Sequence, residues 1–162
     1  MIKDALKRFK IRDQLSADFL KLLSFAEKTV LAFMLIVLVF VFMEKIGLTD
    51  AFLVGGVIGG TIGFIAITAK KMYHNEAFSE LRIYADIKQD MLRSAILAID
   101  YSEKKDGVYY PKKRIFSIFY YCKSEVITHK AQNGIHIFTG PHNRLLKLSN
   151  IILRGNLTEH YI

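Results

Sequence analysis

The sequence predicts an α+β membrane protein: an N-terminal amphipathic helix, a two-helix transmembrane hairpin, a long cytosolic helix and a small C-terminal domain containing a β-hairpin. Three observations carry that expectation. Two runs, Thr29 to Met43 and Ala51 to Ala69, contain no charged residue, although the chain holds 23 Lys+Arg and 15 Asp+Glu. Apolar residues packed into charge-free runs with bases at their ends are the pattern of segments that enter lipid. Beyond Asp106 the apolar pattern loses its helical period and becomes rich in β-branched and aromatic residues, with Asn133-Gly134 between two such runs. The organisation expected is an interfacial segment over 1–28, a membrane hairpin over 29–71 and a cytosolic domain over 72–162.

Taken in order, "KDALKRFKIRDQLSADFLKLLSF" places Leu6, Phe9, Leu15, Phe19, Leu22 and Leu23 at three- and four-residue spacings with bases between them. One or two amphipathic helices follow, lying at the membrane surface or packed on the cytosolic domain. The first charge-free run has 15 residues and rises about 22 Å as a helix, and the second has 19 and rises about 28 Å. A hydrocarbon core is ~30 Å thick, so the first needs Lys28 and Lys45 to snorkel from its ends. "EKIGLTD" is the turn between them. Residues 1–28 carry seven Lys/Arg, the turn only Lys45, and residues 70–162 fifteen. Bases favour the cytoplasmic side, which predicts a multi-pass protein of the inner (cytoplasmic) membrane with both termini in the cytoplasm.

Gly55, Gly59 and Gly63 recur every four residues and share one face of the second run, while Gly56 and Gly60 form an adjacent row. Each glycine weakens a helix in water by roughly 1 kcal/mol relative to alanine. In lipid, close backbone approach at small residues drives helix association, so these five are the expected helix-packing residues. The rows serve contact within the hairpin or between protomers, and a homo-oligomer is expected. Within the two runs no charge marks an ion or proton path.

From Glu76 to about Tyr101, Phe78, Leu81, Tyr84, Ala85, Met91, Leu92, Ala95, Ile96 and Ile99 fit a helical period. The long cytosolic helix is expected here, ending at the Asp106-Gly107 turn signal. Asn133-Gly134 predicts a hairpin of Val126 to Gln132 with Ile135 to Thr139, because a two-residue type I′ turn needs positive φ at both positions. In that register Ala131 lies opposite His136 and His129 opposite Phe138, so the two histidines are not expected to meet. "GPHNRLLKLSNIILRGN" reads as a helix with Asn143 as N-cap, Leu145, Leu148 and Ile152 on one face and Gly155 as its stop, although "IIL" also suits a strand.

Little in the chain suggests catalysis. The five histidines show no i, i+4 pairing and have no cysteine companions, so no metal is expected; no phosphate loop or paired carboxylate stands out, and no cofactor is expected. Cys122 is the single cysteine and has no evident base, which suits packing. "RGNLTEH" places Arg154 six residues before His160, and this is similar to the R-x(4–6)-H signature of the HEPN family of RNA-cleaving helical domains. That resemblance implies Arg154 and His160 as a nuclease-like pair. Fifteen bases after residue 69, "PKKR" at 111–114 among them, would suit nucleic acid or anionic lipid; the positive-inside bias already accounts for most, and nucleic acid is not the expected partner.

The layout of "VLAFMLIVLVFVFM" and "FLVGGVIGGTIGFIAITA" followed by a small cytosolic domain resembles the bacterial two-transmembrane effectors of anti-phage systems. The resemblance implies a cytosolic part that senses a signal, through a protein partner or ligand, and spans that breach the inner membrane. The chain is accordingly read as a non-enzymatic, self-associating, membrane-disrupting or pore-forming effector controlled by its cytosolic domain. A membrane-anchored adaptor and an accessory subunit of a larger complex are the alternatives.

Overall fold

The computed structural model describes residues 6–48, 53–84, 87–113, 117, 121–132 and 134–159. The chain builds an α+β domain from which a long apolar helical arm projects. Its elements are β1 (Leu6–Arg8), α1 (Ile11–Ala17), α2 (Phe19–Lys45), α3 (Leu53–Lys70), a π-helical turn (Lys71–Asn75), β2 (Phe78–Ile83), α4 (Gln89–Ala98), β3 (Tyr101–Lys105), β4 (Val108–Pro111), a short 3₁₀ turn (Lys123–Glu125), β5 (Ile127–Gln132), β6 (Ile135–Pro141) and α5 (His142–Glu159). Six antiparallel strands form one sheet in the order β1-β2-β6-β5-β4-β3.

Helices α4 and α5 cover one face of the sheet. Leu92, Ala95 and Ile96 of α4 and Leu145, Leu148 and Ile152 of α5 are buried there against Leu81, Ile83, Tyr101, Tyr109, Ile127 and Phe138 of the strands. The expected apolar face of the C-terminal helix is therefore the one that packs. Its ends differ from expectation: α5 begins at His142, directly after Pro141, and runs through Gly155.

The two-helix transmembrane hairpin is not what the chain forms. Among the described residues one helix, α2, is long and apolar enough to cross a membrane, and a multi-pass topology has no second helix of that kind. Charge-free runs are a poor measure of helix length. The 27-residue α2 begins at Phe19, well before Thr29, and spans about 40 Å, whereas the 18-residue α3 spans about 27 Å, below a ~30 Å core. The turn is described as far as Leu48, with Gly47 at φ 71°.

The long cytosolic helix over 76–101 is also replaced, by β2 followed by the ten-residue α4. Ser79, Leu81 and Ile83 alternate into the core while Glu80 and Arg82 face outward. Leu81 fits both a helical and an alternating template, and pairing with β6 over six residues decides for strand. At the N-terminus the expected helical stretch begins only at Ile11, as α1 and the start of α2, and the stretch before it is β1, with Leu6 paired to Leu81.

The β5–β6 hairpin forms in the expected register: Gln132 faces Ile135, Ala131 faces His136 and His129 faces Phe138. Gly134 takes φ 74°, as the turn requires; Asn133 lies outside the described residues. The histidines, however, do meet. His129 and His136 are diagonal neighbours, and their rings stack with centroids 5.2 Å apart and Nε2 of His129 2.9 Å from Nδ1 of His136. Diagonal partners two positions off register stay within reach of aromatic side chains.

Candidate functional site: a buried polar joint at the foot of the arm

Where the arm meets the sheet domain, polar and charged side chains are buried together. Gln14, Asp18, Lys21, Ser24, Glu76, Ser124 and Glu125 are all buried, and Lys21 is wholly shielded from solvent. They come from four separate stretches of sequence: α1, the start of α2, the end of the π-helical turn and the 3₁₀ turn before β5.

Gln14 is the hub. Its Nε2 donates to the Phe9 carbonyl at 2.9 Å and to the Tyr73 carbonyl at 3.4 Å, while its Oε1 accepts from the Phe78 N–H at 3.1 Å and from Lys21 Nζ at 3.3 Å. Lys21 Nζ donates also to the Glu76 carbonyl at 3.1 Å and sits 5.3 Å from the Tyr73 ring centroid, within cation–π range. Asp18 Oδ2 accepts the Ser124 backbone N–H at 2.7 Å. Further along α2, Glu27 accepts from Ser117 Oγ at 2.7 Å. An apolar plug fills the rest: Met72 and Cys122, fully buried, with Phe25 set edge-on to Tyr73.

Electrostatically the joint is a desolvated place. Burial raises the Glu76 carboxyl above its usual range, opposed by Lys71, Lys28, Lys21 and Arg144. The Cys122 thiol is pushed up to about 12, by burial first and then by the Asp18 and Glu125 carboxylates. A thiol so held is inert as a nucleophile at neutral pH. Asp18 Oδ1, Glu76 Oε2, Tyr73 OH and Ser124 Oγ are buried without a hydrogen-bond partner among the described residues. Buried polar groups are costly to strip of their hydrogen-bond partners, so the joint holds α1, α2, the π-helical turn and the 3₁₀ turn in one arrangement.

The expected helix-packing glycines divide into two sets. A Cβ at Gly56 would clash with the Phe40 ring, and one at Gly60 would touch Ile36 at 3.6 Å, so this row lies against α2. At Gly55, Gly59 and Gly63 a Cβ would meet nothing within 4 Å. Arg154 stands on α5, and His160 lies outside the described residues. No group of three or more His, Cys, Asp or Glu side chains among the described residues could hold a metal ion. The joint itself went unread in the sequence because Asp18 and Lys21, set among Leu15, Phe19 and Leu22, look like the polar face of an amphipathic helix.

Comparison with family models, with curated proteins and with solved structures finds no match for this chain.

Proposed function

We propose that the protein is a membrane-anchored, non-enzymatic module in which the apolar arm enters the bilayer and the joint holds the sheet domain against the membrane surface. The observation that carries this reading is the exposure of α2 along its length: Val30, Leu31, Phe33, Met34, Leu35, Leu38, Val39 and Phe42 all face outward, and the most apolar window of the helix has no buried residue. So much apolar surface is unstable in water and at home in lipid. Hydrogen bonding of β1 to β2 brings both ends of the arm to one domain, so the sheet domain sits at the foot of the apolar helix. The charge asymmetry favours the cytoplasmic face of an inner membrane, with the sheet domain available to a protein partner or signal ligand.

The test is Leu38→Arg in the full chain. In water an exposed leucine tolerates arginine, but near a bilayer centre the charge costs about 3 kcal/mol, or roughly a hundredfold in insertion. The carbonate-resistant membrane fraction should collapse for Leu38→Arg and hold for Leu97→Arg, an exposed leucine on α4. Equal behaviour of the two variants would remove the anchor from the reading.

A second reading is favoured by the open row of Gly55, Gly59 and Gly63. Backbone can approach closely at such a face, which suits self-association. An effector that assembles through this face and perturbs the membrane under control of the sheet domain, as in the anti-phage systems the layout resembles, rests on that row.

A further inference from the structure

Beside the joint, on the solvent side of Gln14, lies a cleft of about 450 Å³. One wall is the β1–α1 connection with Arg8, Phe9 and Lys10; the other is the end of α3 and the π-helical turn with Lys70, Tyr73 and His74. The size is that of a small-molecule site. Gln14 forms part of the base, is 2% exposed, and ties the two walls together through its bonds to the Phe9 and Tyr73 carbonyls. Stacking of Phe9 on Phe78 at 5.3 Å and the Phe9 N–H to Phe78 carbonyl bond of 3.0 Å fix the first wall to the sheet. The cleft is therefore framed by anchored backbone.

Its chemistry has one sign. Among the described residues three basic side chains and a histidine line it, no carboxylate does, and the rest of the lining is largely apolar. Its place also matters. Lys70 is the last residue of α3, where the apolar arm ends; Ile11 in the lining is exposed, as are Phe19, Leu20, Leu22 and Leu23 at the start of α2. A basic cleft with apolar walls, set at the base of a lipid-seeking helix, matches a ligand with a phosphate at one end and hydrocarbon at the other.

We propose that this cleft binds the headgroup of an anionic phospholipid, with Arg8, Lys10, Lys70 and His74 around the phosphate and Phe9 and Tyr73 against its glycerol and first acyl carbons. The inference rests on the membrane-anchor reading above. Direct contact to a phosphodiester by several bases at once is stronger than the diffuse pull of a charged surface, so the site would set how the sheet domain sits on the bilayer.

The experiment uses the full chain reconstituted into nanodiscs of phosphatidylcholine alone or mixed with phosphatidylglycerol, with the lipid retained on detergent extraction identified by mass spectrometry. The chain should retain phosphatidylglycerol preferentially. Arg8→Glu with Lys10→Glu should weaken that retention by at least about tenfold, because each basic group near an anionic surface contributes about fivefold. Lys70→Glu, on a different element, should act in the same direction and guards against a local folding defect at β1. Lys105→Glu with Lys130→Glu makes the same charge change away from the cleft and should leave retention intact. If this last pair weakens retention equally, diffuse attraction explains the binding and the cleft assignment is overturned. Displacement of lipid by millimolar inorganic phosphate or glycerol 3-phosphate would reassign the site to a soluble phosphate ester and overturn the lipid source. Carbonate extraction separates the two readings: wild type released by carbonate means the anchor itself fails, whereas wild type retained in membranes without a phosphatidylglycerol preference overturns only the cleft.

Discussion

The Asp18 carboxylate accepts the Ser124 backbone N–H at 2.7 Å across 106 positions of sequence, and both groups are buried. This bond fastens the entrance of the arm to the sheet domain at a point where water cannot replace it. Asp18→Ala should destabilise the folded chain by about 2–3 kcal/mol, since a buried donor loses a charged acceptor. Asp18→Asn keeps an acceptor and should cost less. Lys21→Met, which leaves Gln14 Oε1 and the Glu76 carbonyl short of a buried donor, should cost about 1–3 kcal/mol. Urea unfolding followed by proteolysis in detergent reads all three. Equal stability of wild type and Asp18→Ala would mean that the joint does not hold the domain.

Stacking of His129 between Phe138 and His136 predicts a pH response. The His129–Phe138 centroids are 4.5 Å apart with the rings 14° from parallel. Burial, and then His136, lower the His129 pKa below 6.5, against Glu103 and Asp106. A group whose folded value is depressed contributes stability that is present above the unfolded value and lost as pH falls through the folded one. The Tm should therefore hold above pH 6.5 and decline below it, as the half-buried His129 ring takes up a proton against Phe138. His129→Phe preserves the stack and should flatten part of that decline. His142, lowered by burial, Arg8 and His74, keeps the remainder. An unchanged pH profile in His129→Phe would show that this stack carries none of it.

Gly134 holds φ 74° at the β5–β6 turn, a region a β-branched residue scarcely enters. Gly134→Val should destabilise the sheet domain by about 1–3 kcal/mol, and its Tm should fall with no loss of membrane association. A Tm equal to wild type would place the register under the control of the core alone.

The two glycine rows predict opposite phenotypes. Gly56→Leu drives a side chain into Phe40 and should lower folding yield, because that ring must leave its place against α3. Gly59→Leu enters open space and should leave the yield unchanged while shifting detergent-solubilised protein to smaller assemblies. Light scattering coupled to gel filtration distinguishes them. If Gly59→Leu keeps the mass of wild type, the open row joins no second copy.

Local chemistry alone determined several parts of this protein. Asn133-Gly134 between β-branched runs settles a hairpin register, since turn geometry and side-chain alternation admit few alternatives. The period of Leu145, Leu148 and Ile152 marks the buried face of α5, and the charge-free runs mark the arm as apolar, because burial and lipid both select hydrophobicity residue by residue. Contacts between distant segments decided the rest. Residues 78–83 satisfy helical and alternating patterns alike until β6 offers a ladder. Leu6–Arg8 is a strand only because β2 presents an edge. The His129–His136 contact needs the diagonal geometry of a folded sheet, beyond a count of register. Gln14, Asp18, Lys21, Glu76 and Ser124 look like solvated positions one at a time; only the return of the arm to its own domain strips them of water, and desolvation is a property of the assembled surroundings that no single stretch of sequence contains.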